Sequence, residues 1–164
     1  MNVCARLLVL CGLTAAAATA VAGTATTTFT VSGTVVPTCS ISAAALNFGA
    51  AIPNPINSNV DGQSTVTATC SSGAPYTVAL NVGTGSGATY AARRMTSGGN
   101  TLVYNLYTDP SRSQVWGDGT GGSNLSNGSG TGAAQAINVY GRITAGQTVP
   151  TGTYTDTITV TINF

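Results

Sequence analysis

Few side chains in this 164-residue sequence can do covalent or acid–base chemistry. The ionisable ones are Arg6, Arg93, Arg94, Arg112 and Arg142 with Asp61, Asp109, Asp118 and Asp156; Lys, Glu and His are absent. Without histidine there is no imidazole base and no Ser-His-Asp triad. Four dispersed aspartates offer no carboxylate pair at the level of sequence. Gly117-Asp118-Gly119-Thr120-Gly121-Gly122 has the glycine content of a phosphate loop but lacks the lysine and the following helix, and one carboxylate is too few for calcium. These residues point to no enzyme, no cofactor and no metal site. The Arg93-Arg94 pair reads as a strand-rim pair with its stems packed down. Trp116 and Tyr107 could make a sugar-binding platform, but core or rim packing is the commoner use of such aromatics.

The remaining chemistry is that of cysteine. Cys4 and Cys11 lie in an opening segment with Arg6, a short Leu/Val run over residues 7–10 and an Ala/Thr stretch to Ala20-Val21-Ala22. That is the pattern of a secretory signal, residues 1–22, cleaved after Ala22. Cys39 and Cys70 remain, and an even pair in an exported domain reads as one disulfide. Beyond the signal, four Arg balance four Asp. No basic surface is available for nucleic acid.

The elements that must position these residues are strands. Residues 154–164 alternate, with Tyr154, Ile158, Val160, Ile162 and Phe164 on one parity and Thr155, Thr157, Thr159, Thr161 and Asn163 on the other. β-branched residues at period two indicate a half-buried strand. Further alternation falls at 64–70, 76–82, 102–107 and 137–143, with shorter pieces at 39–41, 46–49, 90–95 and 114–116. Glycine, serine, asparagine and proline punctuate them, and residues 117–132 read as a low-complexity loop. Apolar spacing at helical period is missing throughout, so the chain reads as an all-β sandwich. A second uncharged strand pattern runs ahead of the domain: Thr27, Phe29, Val31, Gly33 and Val35 against Thr26, Thr28, Thr30, Ser32 and Thr34. The division expected is residues 1–22 signal, 23–36 extension and 37–164 sandwich.

In order, the chain carries Cys39-Ser40-Ile41, Leu46-Asn47-Phe48-Gly49, Cys70, Tyr76-Thr77-Val78-Ala79-Leu80, Arg94-Met95, Leu102 through Asp109, Trp116-Gly117, Tyr140-Gly141-Arg142-Ile143 and Gly152 through Val160. This series resembles the spore coat protein U domain, shared with subunits of archaic chaperone–usher pili. The resemblance implies an immunoglobulin-like sandwich lacking its last strand, with an apolar groove in the gap. It implies that a periplasmic chaperone fills the groove first and that the extension of a neighbouring copy or related subunit replaces it, while an outer-membrane usher exports the fibre to the cell surface for adhesion or biofilm formation. On that reading Phe29, Val31 and Val35 are the donor residues, and Tyr154, Ile158, Val160, Ile162 and Phe164 line the acceptor groove. Two alternatives stand beside it: a secreted coat or matrix protein that completes its own fold, and a sugar- or surface-binding module.

Overall fold

The computed structural model describes residues 21–164, so the signal reading lies, up to residue 20, outside the described residues. The chain forms two compact units, Met1–Thr34 and Val35–Phe164. In the first, the described residues carry no regular secondary structure and are exposed. An extended segment becomes a strand only when a neighbour takes up its backbone hydrogen bonds, however good its alternation.

The second unit contains eight strands: β1 (Cys39–Ala43), β2 (Val60–Cys70), β3 (Pro75–Leu80), β4 (Arg93–Ser97), β5 (Asn100–Tyr107), β6 (Ser126–Ser129), β7 (Ala134–Ile143) and β8 (Val160–Asn163). They make two antiparallel sheets, a five-stranded one in the order β1-β2-β7-β5-β4 and a three-stranded one in the order β6-β3-β8. The inward parity of each long strand builds the core: Val66, Ala68 and Cys70 from β2, Tyr76, Val78 and Leu80 from β3, Leu102, Tyr104 and Leu106 from β5, Val139 and Ile143 from β7. Trp116 is fully buried among them, and its Nε1 donates to the Val78 carbonyl at 2.9 Å. That bond satisfies the one polar atom of the largest core side chain. Tyr107 is only half-buried, so Trp116 and Tyr107 form no exposed platform.

Cys39 and Cys70 sit directly opposite each other where β1 pairs with β2, Cα to Cα 4.1 Å, and form a disulfide. It ties the edge strand β1 to its neighbour β2.

The sequence differs from the structure in three instructive places. The stretch Leu46-Asn47-Phe48 is not a strand. It lies over the cross-strand glycine pair Gly62 and Gly141, where a Cβ on either would come within 2.9 Å of Leu46. The two glycines open a seat for Leu46 and Phe48, whose side chains hold the segment in place of a hydrogen-bond ladder. The loop 117–132 contains β6, which has no large apolar residue and forms by pairing with β3. Gly128 passes directly beneath the Tyr76 ring, which leaves no room for a Cβ. The closing stretch is not one strand either. Thr155 bridges to Thr96 at the β4 edge of the large sheet, and only from Val160 does the chain pair with β3 of the small sheet. Residues 156–159 therefore cross from one sheet to the other.

Candidate functional site

That crossing forms one wall of a groove. Among the described residues β1 pairs only with β2, and β8 only with β3. The two strands approach each other without pairing, and a groove runs beside them. Two adjoining spaces, ≈ 490 Å³ and ≈ 610 Å³, make up the groove and share Leu46, Phe48, Met95, Tyr154 and Thr155. Core residues of both sheets form the floor of the first space: Val66 and Val139 from the large sheet, Leu80 from the small one, with Tyr104 and Leu106 of β5. The near wall is Ala43-Ala44-Ala45, whose methyl groups add little bulk to the groove. Its backbone is held on one side only, Ala44 N donating to the Thr65 carbonyl at 2.9 Å and Ser64 Oγ to Ala44 O at 2.7 Å. Phe48 closes on Tyr104 edge to face, ring centroids 6.0 Å apart.

The far wall comes from the closing stretch. Tyr154, Ile158 and Val160 line the groove. Ile162 lies farther on, half-buried against the core, and Phe164 is 58% exposed. These two are not part of the lining, because β8 has by then turned fully onto β3. The intervening threonines face out, as their parity requires.

The residue that sequence reasoning passed over is Asp156, which shares the inward parity and also lines the groove. Its carboxylate accepts from Tyr104 Oη at 2.7 Å, Thr84 N at 2.7 Å, Thr84 Oγ1 at 2.9 Å and its neighbour Thr157 N at 2.7 Å. Gly83 leaves the space for it. Burial, then the bond to Asp156, pushes the Tyr104 phenol above its usual pKa, so it stays a donor. An aspartate interrupting an apolar parity was the signal that could have revealed it.

Arg93 departs from the rim reading: it is completely buried. Nε and Nη2 donate to the Asn81 carbonyl at 3.1 and 2.9 Å, Nη2 to the Trp116 carbonyl at 2.6 Å, and Nη1 to Asn105 Oδ1 at 2.8 Å. The Tyr90 ring lies 5.5 Å from the guanidinium. Burial pulls its pKa below the ordinary arginine value, opposed by the surrounding tyrosines and by Asp156. The site has binding-wall chemistry, an apolar trough with one fixed carboxylate. Among the described residues no three His, Cys, Asp or Glu side chains converge as metal ligands would.

Phe29, Val31 and Val35 are 86%, 82% and 98% exposed. They belong to the exposed run ahead of β1.

The fold and groove are those of an all-β sandwich of two antiparallel sheets. The particular family follows from comparison. The Spore Coat Protein U domain matches residues 25–161, and the chain belongs to that family. It is 38% identical over 159 residues to Protein U of Myxococcus xanthus, covering 87% of each chain. It also resembles a chain in the crystal structure of the CsuC–CsuE chaperone–tip adhesion subunit pre-assembly complex from archaic chaperone–usher Csu pili of Acinetobacter baumannii. That likeness has a TM-score of 0.57 and 29% identity, and it spans 80% of this chain but only 40% of that one.

Proposed function

We propose that this protein is the structural subunit of an exported surface fibre whose members join by strand addition, serving adhesion or biofilm formation. Residues 23–36 of one copy, or of a related subunit, lie in the groove between β1 and the 156–160 wall of the next. A periplasmic chaperone holds the groove first, and an outer-membrane usher passes the growing chain outward. The observation that carries this reading is the groove itself: a trough along one edge of the sandwich, floored by core residues of both sheets and walled by the half-buried Tyr154, Ile158 and Val160. The other end of the same chain offers an alternating, charge-free segment with exposed Phe29, Val31 and Val35.

Each of those side chains, once buried, contributes about 1.5–3 kcal/mol. Backbone pairing along the free edges adds to this. Docking and ordering costs take back part of the sum. Head-to-tail joining is heterologous and does not close on itself, so the product is a filament. Deleting residues 23–33 tests the proposal: the truncated protein must fold with its disulfide intact and fail to polymerise. Unchanged polymers would reject it.

A second reading draws on the likeness to Protein U and on the family's spore-coat name. Here the protein is secreted as a coat or matrix component and completes its own fold with its own extension. A stable monomer whose residues 26–35 have protected amides would favour that reading over the fibre.

A further inference from the structure

The groove wall at residues 156–159 has no strand ladder of its own. It leaves β4 after the paired bonds Thr96 N to Thr155 O, 2.8 Å, and Thr155 N to Thr96 O, 3.0 Å. It joins β3 only at Val160. Between these points it is held by side chains and by one backbone bond, Asn81 N to Thr159 O. Asp156 is fastened from below by Tyr104 and Thr84. Thr159 is fastened by Asn81 on both sides of its peptide: Asn81 Oδ1 accepts from Thr159 N at 2.9 Å, and Asn81 N donates to Thr159 O at 3.1 Å. Asn81 Oδ1 also accepts from Gly83 N at 3.1 Å, which shapes the turn on which Thr84 meets Asp156. The Asn81 carbonyl is in turn gripped twice by the buried Arg93 guanidinium.

Arg93 has no carboxylate in contact, so its charge is met by carbonyl oxygens and, at longer range, by Asp156. A buried arginine is costly unless fully bonded. Here its bonds run to Asn81 just past the end of β3, to Asn105 within β5 and to the Trp116 carbonyl.

We infer that Asn81, clasped by Arg93, is a positioning residue that holds residues 156–159 as a preformed groove wall, so that an incoming strand meets a fixed surface. This rests on the strand-addition reading, with residues 23–36 of a second copy as the occupant. A preset wall lowers the ordering cost of capture. Asn81 touches the wall and not the floor, so its effect falls on binding more than on the fold.

The test uses the full chain carrying Phe29→Asp, which removes its own extension as a competitor, and a labelled synthetic peptide of residues 23–36 as the probe. Hydrogen exchange is recorded on the same samples. Asn81→Ala removes the Oδ1 acceptor and leaves the carbonyl for Arg93. The expected result is exchange of the Thr157 and Thr159 amides faster by about fivefold, the effect of one lost hydrogen bond. Val66 and Ile137 amides keep their rates, and the peptide binds about fivefold more weakly. Asn81→Asp keeps the acceptor and restores both values, whereas Asn81→Gln does not. Unchanged exchange at the wall overturns the inference, as does acceleration spread over both sheets. Faster exchange at the wall with unaltered peptide binding also overturns it, since the occupant would not be reading the wall. Failure of the peptide to bind the parent protein rejects strand addition itself, and the exchange pattern alone then decides whether Asn81 sets the wall.

Discussion

Replacing Val160 with Asp should damage capture of a strand far more than it damages folding. Val160 lines the groove and is half-buried while the groove is open. A carboxylate there keeps part of its hydration in the uncovered protein, so folding should lose about 1–2 kcal/mol. Once a strand lies over it, that hydration is gone. Arg93, which grips the Asn81 carbonyl next to Val160's partner Leu80, is already committed to carbonyls. The covered state then suffers about 3 kcal/mol more, or the carboxyl takes up a proton. A 3 kcal/mol loss is a factor of about 100 in Kd. The control is Thr161→Asp, one residue along on the exposed outer face, opposite Ala79. It should change affinity by less than about twofold, as surface substitutions do. Both variants are titrated with the 23–36 peptide, and their thermal midpoints are compared. Protonation supplies a second signature. Once covered, the introduced carboxyl has a raised pKa, so binding by the Val160→Asp protein should recover as pH falls through that value. Equal loss in both variants would refute the parity, and equal loss of folding and binding would refute the open groove.

Cys39→Ser should cost about 3–4 kcal/mol, because the bond closes a loop with a sequence separation of 31, and should lower the yield of folded protein; thermal melts and thiol labelling of Cys70 check it. Gly141→Ala should destabilise by about 1–3 kcal/mol through overpacking, since the added methyl comes within 2.9 Å of Leu46 and Phe48; Leu46→Ala in the same chain should relieve part of that loss. Asp61 is held below its usual pKa by its bond to Arg142, and then by Arg112. Its folded value is depressed, so its contribution is present above the unfolded value of 3.8 and disappears as pH falls through the lower folded one. As an exposed pair it should be worth at most about 1 kcal/mol, read as the gap between wild type and Asp61→Asn in denaturant melts from pH 2 to pH 6.

The fold class was legible because the long strands alternate cleanly: Val66, Ala68 and Cys70, or Ile137, Val139 and Ile143, leave little choice of period. The disulfide was legible from the secretory pattern of the opening residues and the even pair beyond them. The seat of Leu46 and Phe48 was not, since it depends on Gly62 and Gly141 meeting across two strands 79 residues apart in sequence (141 − 62). β6 was hidden for a similar reason: Ser126, Asn127, Gly128 and Ser129 have no strand pattern and borrow their order from β3. Of the groove, the wall residues Tyr154, Ile158 and Val160 could be read from parity, whereas the crossing could not. The same alternation serves a chain that stays in one sheet and one that changes sheets, and only Asp156 marks the point of change. Arg93 shows the limit most plainly. An Arg-Arg pair on a short strand is ordinarily solvated, and its burial here depends on carbonyls supplied by Asn81 and Trp116 from other strands' ends.

On the strand-addition reading, one copy's extension occupies another copy's groove. This is tested most directly by introducing Val31→Cys and Ile158→Cys into the full chain and oxidising the purified protein. The account predicts bonds between chains, seen without reductant as a ladder of dimers, trimers and higher species, because head-to-tail joining does not close. Thr30→Cys, on the opposite parity, should give far less with Ile158→Cys. A bond formed wholly within single chains, on a protein that remains a monomer, would contradict the account.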